Sequence, residues 1–238
     1  MASGANRLLF DLYKDAARTT LWGSWSSGFD TAGSQNDFTS NGSGNVSATI
    51  TVYARLFSSQ QTAVPASYTE TFTGGGGSNS TGTRYGSTTG GGNCPIGAST
   101  AFAATWNVTA TVVTSCNVSA TNLNFGSTGS LGANVDATSS VTPKCTNGTP
   151  YNVGLNAGTG TGATVATRKM TSGSNTTTYS LYRDSARTLV WGTTIGTNTV
   201  SGTGTGSNQS LTVYGRIPVQ ATPAPATYSD TIVATVTY

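Results

Sequence analysis

Eight carboxylates are the side chains in this sequence best suited to acid–base work: Asp11, Asp15, Asp30, Asp37, Glu70, Asp136, Asp184 and Asp230. Glycoside hydrolysis needs two of them facing each other across a cleft, and nothing in their spacing pairs them so. Asp15 and Asp184 each stand three residues before an arginine, at matching places in a repeated segment. That pattern predicts structural ion pairs, Asp15–Arg18 and Asp184–Arg187, of little weight if exposed. The chain has no histidine, which removes the usual general base, metal ligand and pH switch. The common nucleophile–base arrangements therefore cannot be assembled. The glycine runs at 74–77 and 90–92 lack the lysine and following helix of a phosphate loop. The sequence argues against an enzyme, and no cofactor is expected.

The three cysteines offer different chemistry. Joining Cys116 to Cys145 would close a loop of about 30 residues, worth about 3–4 kcal/mol in the chain-entropy model. Such a bond implies an oxidising compartment; the alternative is two buried free thiols. Cys94 is left over, either free or once paired with a residue of a missing half-domain. Without histidine or closely paired cysteines a zinc site is not expected.

What positions these residues is a strand-rich chain. Of its 238 residues, 8% are charged and 35% hydrophobic, and Gly, Ser, Thr and Asn fill most of the remainder. So few charges argue against solvated helices, while Thr and Val suit a half-buried pleated surface and Gly and Asn suit tight turns. The net charge is +3, with basic residues scattered rather than clustered, so no nucleic-acid partner is expected. No apolar run approaches the roughly 20 residues of a membrane helix. No signal peptide follows Met1, so it is expected to have been removed or cut away.

Periodicity locates the strands. Phe102, Ala104, Trp106, Val108, Ala110 and Val112 alternate with smaller or hydroxylated residues, which predicts a long strand with one apolar face. Further strands are expected at Leu123–Phe125, Ser140–Cys145, Tyr151–Ala157, Tyr179–Asp184, Val190–Trp191, Ser210–Pro218 and Tyr228–Tyr238. Seven or eight strands in this space suggest an immunoglobulin-like sandwich.

The chain also repeats itself. Leu12 to Gly23 returns as Leu181 to Gly192 with eight of twelve residues identical. Ile50 to Leu56 returns as Leu211 to Ile217, and Tyr68 to Phe72 as Tyr228 to Ile232. Matched blocks in one order indicate two homologous domains. The first copy has eleven residues ahead of its Leu12 block and the second about 80, so the first is expected to be truncated or completed by another segment. The expected division is 1–73 for a partial domain, 74–101 for a Gly/Ser/Thr-rich linker and 102–238 for a complete domain.

Several stretches of the second copy are similar to spore coat protein U domains, shared by archaic chaperone–usher pilins. They are Cys116-Asn117-Val118, Leu123-Asn124-Phe125-Gly126, Lys144-Cys145-Thr146-Asn147-Gly148, Tyr151 to Leu155, Tyr179 to Asp184, Val213 to Arg216 and Tyr228 to Thr231. The resemblance implies an all-β, incomplete immunoglobulin-like β-sandwich whose gap is filled by a neighbour's donor strand. It further implies a periplasmic pilus chaperone, an outer-membrane usher and neighbouring pilin subunits as partners. The route implied is secretion through the periplasm to the cell surface.

Two residue patterns fit that mechanism. Ile232, Ala234, Val236 and Tyr238 give the last stretch one apolar face, suited to strand addition; the alternative is an ordinary last strand, already paired. The Phe102–Val112 strand has three possible destinations: the groove of a neighbouring copy, completion of the first domain in cis, or the first strand of its own sandwich. A whole domain precedes it, which departs from a shaft pilin and resembles a two-domain tip subunit. In that reading Trp25, Phe29 and Phe38, on a Gly/Ser-rich loop, contact a surface; otherwise they cap their own core.

Overall fold

The repeat noticed in the sequence is a repeat of hydrogen-bond register. The computed structural model describes residues 1–21, 51–72 and 106–238. Cys94, Phe102, Ala104, the 74–101 linker and the Trp25–Phe29–Phe38 loop lie outside the described residues. The chain is all-β, with no helix among the described residues, and forms two compact units.

Unit 1 comprises Met1–Gln60 and Ala66–Val112. Its strands are β1 (Ala2–Ser3), β2 (Asn6–Arg7), β3 (Phe10–Tyr13), β4 (Tyr53–Leu56), β5 (Ala66–Phe72) and β6 (Trp106–Val112). They form a sheet of order β2-β1-β5-β6 and a β3-β4 pair. Unit 2 comprises Gln61–Pro65 and Val113–Tyr238. It carries β7 (Cys116–Ala120), β8 (Val135–Cys145), β9 (Pro150–Leu155), β10 (Arg168–Ser172), β11 (Asn175–Tyr182), β12 (Val200–Thr203), β13 (Leu211–Ile217) and β14 (Ala234–Thr237). Here the sheets are β10-β11-β13-β8-β7 and β12-β9-β14, an immunoglobulin-like arrangement.

The core of unit 2 follows from two-residue alternation. Val141 and Cys145 of β8, Tyr151, Val153 and Leu155 of β9, Tyr179 and Leu181 of β11, and Val213 and Ile217 of β13 are all buried. Trp191 is fully buried, and its indole N–H donates to the Val153 carbonyl at 2.9 Å. The buried indole thus finds the partner its polar edge requires.

The repeat runs further back than its obvious block. Met1-Ala2-Ser3-Gly4-Ala5-Asn6 stands where unit 2 has Met170-Thr171-Ser172-Gly173-Ser174-Asn175. Both segments form a hairpin with glycine at φ 58°, Gly4 and Gly173. A two-residue hairpin turn needs positive φ there, which glycine supplies without strain. The pairs Leu12–Ala54 and Tyr13–Tyr53 of unit 1 match Leu181–Gly215 and Tyr182–Tyr214 of unit 2.

Two expectations change. Leu123–Phe125 is not a strand; it runs irregularly and lays Leu123 and Phe125 against the core. Tyr228–Tyr238 is not one strand: Ser229 bridges Thr171, and β14 begins at Ala234. Of the three destinations open to the Phe102–Val112 strand, its described part, Trp106–Val112, pairs with β5 and groups with unit 1.

Candidate functional site

A sheet edge is chemically unfinished: its outward N–H and C=O groups lack ladder partners. The two units treat corresponding edges differently. In unit 1, β5 pairs with β1 on one side through Ala2–Thr69, and with β6 on the other along all of Ala66–Phe72. The apolar face of β6 turns inward, with Trp106, Val108, Ala110 and Val112 half-buried and Asn107, Thr109 and Thr111 exposed. Trp106 stacks on Phe72 with centroids 4.7 Å apart and planes at 16°. Tyr68, beside them on β5, is fully buried.

The counterpart of β5 in unit 2 is residues 226–232. Thr171–Ser229 matches Ala2–Thr69 and closes one side. Among the described residues no strand lies on the other side. The chain then enters β14, which pairs with β9 and forms the edge of its sheet. β7, at the edge of the opposite sheet, comes close to β14 without pairing with it. The seam between them is lined by Val118, Ile232, Ala234 and Val236, each half-buried against the core. Val233 and Tyr238 are more than half exposed. Of the four residues expected to present one face, the structure therefore aligns Ile232, Ala234 and Val236 and leaves Tyr238 out in solvent.

Both borders of the seam are anchored. Cys116 of β7 is disulfide-bonded to Cys145, its register partner on β8. On the other border Asp230 accepts hydrogen bonds from Thr159 N–H at 2.8 Å, Thr159 Oγ1 at 2.9 Å and Tyr179 Oη at 2.7 Å. Burial, reinforced by Asp230, raises the Tyr179 hydroxyl's pKa, so it stays a donor. Beneath them Arg168 is fully buried and donates to the carbonyls of Asn156 at 2.8 Å, Val165 at 2.7 Å, Leu155 at 3.0 Å and Trp191 at 2.7 Å. Burial lowers its pKa to about 10, which still leaves it charged at neutral pH. Sequence reasoning missed Arg168 and Tyr179. Asp230 carried a signal, since its counterpart in the repeated block is Glu70, another acid.

The expected ion pairs are not formed. Asp15 instead accepts from the backbone of Thr19 and Thr20, and Asp184 from that of Thr188 and Leu189. The bond from Thr20 leads in holding the Asp15 carboxyl below the usual range; on Asp184 burial is the largest single effect and pushes upward, but the bonds from Leu189 and Thr188 together outweigh it and hold that carboxyl below the range too. Arg18 and Arg187 adopt φ of 57° and 58° and aim elsewhere, each Nε donating across to the carbonyl of Ala54 or Gly215. Three residues in a tight loop place the carboxylate over free N–H groups, and these bond it more directly than the arginine.

A duplicated immunoglobulin-like β-protein with one covered and one uncovered edge is the class these observations define. Residues 1–75 and 102–235 match the family model described as the Spore Coat Protein U domain. The chain belongs to that family. It is similar to Protein U of Myxococcus xanthus, 33% identical over 128 residues that cover 49% of this chain and 71% of that protein. Among solved structures it resembles a chain of the CsuC–CsuE chaperone–tip adhesion subunit pre-assembly complex from the archaic chaperone-usher Csu pili of Acinetobacter baumannii. That match has a TM-score of 0.41 and 23% identity, and covers 58% of this chain and 44% of that chain. The chain thus spans less than half the length of that structural relative.

Proposed function

We propose that this protein is a structural and adhesive subunit of a surface fibre assembled by donor-strand complementation, and not an enzyme. In this reading β6 completes unit 1 in cis, and unit 2 takes its missing strand from a neighbouring pilin subunit. The supporting observation is the asymmetry of the matched edges: β5 has β6 beside it, while among the described residues 226–232 and β14 have no strand there. A chain whose apolar β6 strand serves its own first unit differs from a shaft subunit, which lends such a strand to a neighbour, and this difference supports a tip role. Trp25, Phe29 and Phe38 are the proposed surface-contacting residues, with attachment and biofilm formation as the outcome. The half-buried Val118–Val236 seam needs cover during secretion, which a periplasmic chaperone supplies before an outer-membrane usher exchanges it for a subunit strand.

The test uses a synthetic Phe102–Val112 peptide as a surrogate donor for the purified chain. Binding should raise the unfolding temperature of unit 2, by an amount that grows with the logarithm of the ligand excess over Kd. A chain that binds no apolar β-peptide and exchanges its β14 backbone amides no faster than those of β9 would reject the reading. Deleting residues 24–38, with attachment and fibre formation measured separately, tests the adhesive part. The family description favours a second reading, a coat protein that forms no pilus. That reading predicts export independent of any cognate chaperone.

A further inference from the structure

Unit 2 carries a hollow on the outer face of its β12-β9-β14 sheet. Alternation decides which side chains meet there. Tyr151, Val153 and Leu155 of β9, and Ala234 and Val236 of β14, belong to the core side. Asn152, Gly154, Thr235 and Thr237 therefore face outward, and register sets Thr235 beside Gly154 and Thr237 beside Asn152. The loop from Thr193 to Thr199 stands over the same face and encloses, with the sheet, a space of about 170 Å³. Gly154 lets the loop come this close: a methyl group there would stand 3.2 Å from both the Gly192 carbonyl oxygen and Thr193 Cα.

The loop is held in place by its own bonds. Gly192 N–H donates to the Asn198 carbonyl at 2.9 Å, and Thr194 N–H donates to Asn198 Oδ1 at 2.7 Å. Arg183 donates to the carbonyls of Thr197 at 3.0 Å and Thr199 at 3.1 Å. Thr199 is buried, and its hydroxyl donates to Asn152 Oδ1 at 3.2 Å. That bond fixes the Asn152 amide and leaves its two N–H groups unspent. The hydroxyls of Thr193, Thr235 and Thr237, which also line the space, have no partner among the described residues.

These groups select a class of ligand. Among the described residues no charged side chain lines the space, so an ion would lose hydration there without a partner. Three hydroxyls can each donate or accept, and the amide donates; they suit a ligand that carries donors and acceptors around its edge. A cavity of about 150 Å³ holds one six-membered carbon ring, so the space matches a single ring. Ile195, 55% exposed, adds an apolar side chain for the C–H face of such a ring. We infer that this hollow binds a neutral pyranose, an uncharged six-membered ring edged with hydroxyls. The site lies on the opposite face of β14 from the seam and does not depend on the function proposed above.

The probes are the methyl pyranosides of glucose, galactose and mannose, each titrated into the intact isotope-labelled chain and followed by backbone amide chemical shifts. Saturable shifts from at least one of them are expected at residues 152–154, 193–199 and 235–237. The Kd should be on the order of millimolar, since a single ring has few atoms to contribute. The paired variant Thr235→Val/Thr237→Val keeps side-chain shape and strand propensity and should weaken binding at least about ten-fold through two lost hydrogen bonds. Thr193→Val, on the loop and outside any strand, should give an independent loss of about three- to five-fold. The dispersion of the amide spectrum establishes that each variant is folded. The inference is overturned by absence of saturation with all three sugars, by saturable shifts confined to other parts of the chain, or by unchanged affinity in the variants. Glucuronate binding as tightly as methyl glucoside would overturn it too, since the site would then not select an uncharged ring.

Discussion

Gly215 of β13 lies directly under Leu123: a methyl group added at residue 215 would stand 2.8 Å from Leu123 Cδ1 and 2.9 Å from Phe125 Cζ. The missing side chain lets the irregular segment after β7 plug the space between the sheets, where Phe125 also meets Tyr179 edge to face at 6.1 Å. The counterpart in unit 1 is Ala54, over which no such segment lies among the described residues. Gly215→Ala should therefore overpack the core and cost about 1–3 kcal/mol. Leu123→Ala in the same chain should return part of that loss, because residues in contact are not additive. Urea midpoints of the two single variants and the double variant check this.

Arg168 should be the costliest single polar position in unit 2. Its four carbonyl partners come from the end of β9, the loop before β10 and the Trp191 turn, so one side chain ties three segments. Arg168→Met leaves those carbonyls without their donor in a dry site, and a loss above about 3 kcal/mol is expected. Arg168→Lys keeps the charge but cannot reach all four, so it should fall between. Equal stability of the Lys variant and the parent would refute the importance of the fork.

Much of this architecture was legible because alternation and repetition are local. The apolar face of β6, the strands around Tyr151 and Leu211 and the duplication could all be read from residue spacing. Leu123–Phe125 misled for a physical reason: two apolar residues at i and i+2 look alike whether they belong to a strand or plug a gap over glycine. The hairpins at Gly4 and Gly173 were hidden because their strands, such as Asn175 to Thr178, are polar at nearly every position. Arg168 could not be read at all, since a buried arginine satisfied by carbonyls needs partners that meet only after folding. The destination of β6 needed long-range pairing, which spacing within one segment cannot encode.

Stability should fall in acid partly through Asp136. The Arg216 fork, and the Arg187 charge beyond it, hold this carboxyl below its ordinary 3.8 despite an opposing burial effect. A depressed folded value favours the folded state above the unfolded pKa, and that contribution is lost as pH falls through the folded value. Asp136→Asn should therefore lower stability near neutrality, with the difference from the parent shrinking below about pH 3.8. Denaturant midpoints between about pH 2 and 7 would show it. A constant difference across that range would mean that the fork does not carry the acid sensitivity.

Reduction should act on the β7 border. The Cys116–Cys145 bond joins positions 29 residues apart, and opening a loop of that size should cost about 3–4 kcal/mol. The double variant Cys116→Ser/Cys145→Ser should match the reduced parent. It should also speed hydrogen exchange in β7, which among the described residues is an edge strand paired with β8 alone, more than in β9. Uniform acceleration across unit 2 would instead mean that the bond supports the whole fold and not this border.

Trp106 should decide whether β6 stays on unit 1. Its ring lies flat on Phe72 and completes an aromatic contact that continues to Phe10 at 6.4 Å. Trp106→Ala removes the stack and leaves a void at one end of the β5–β6 ladder, costing about 2–4 kcal/mol for a partly buried ring. The loss should fall on unit 1, whose β3-β4 pair and short β1-β2 hairpin cannot hold a sheet without the β5–β6 ladder. Limited proteolysis should then cut between residues 51 and 72 while the disulfide-bonded unit 2 resists. If the variant instead exposed both units equally, β6 would be serving unit 2 as well, and the assignment of this strand to unit 1 would be wrong.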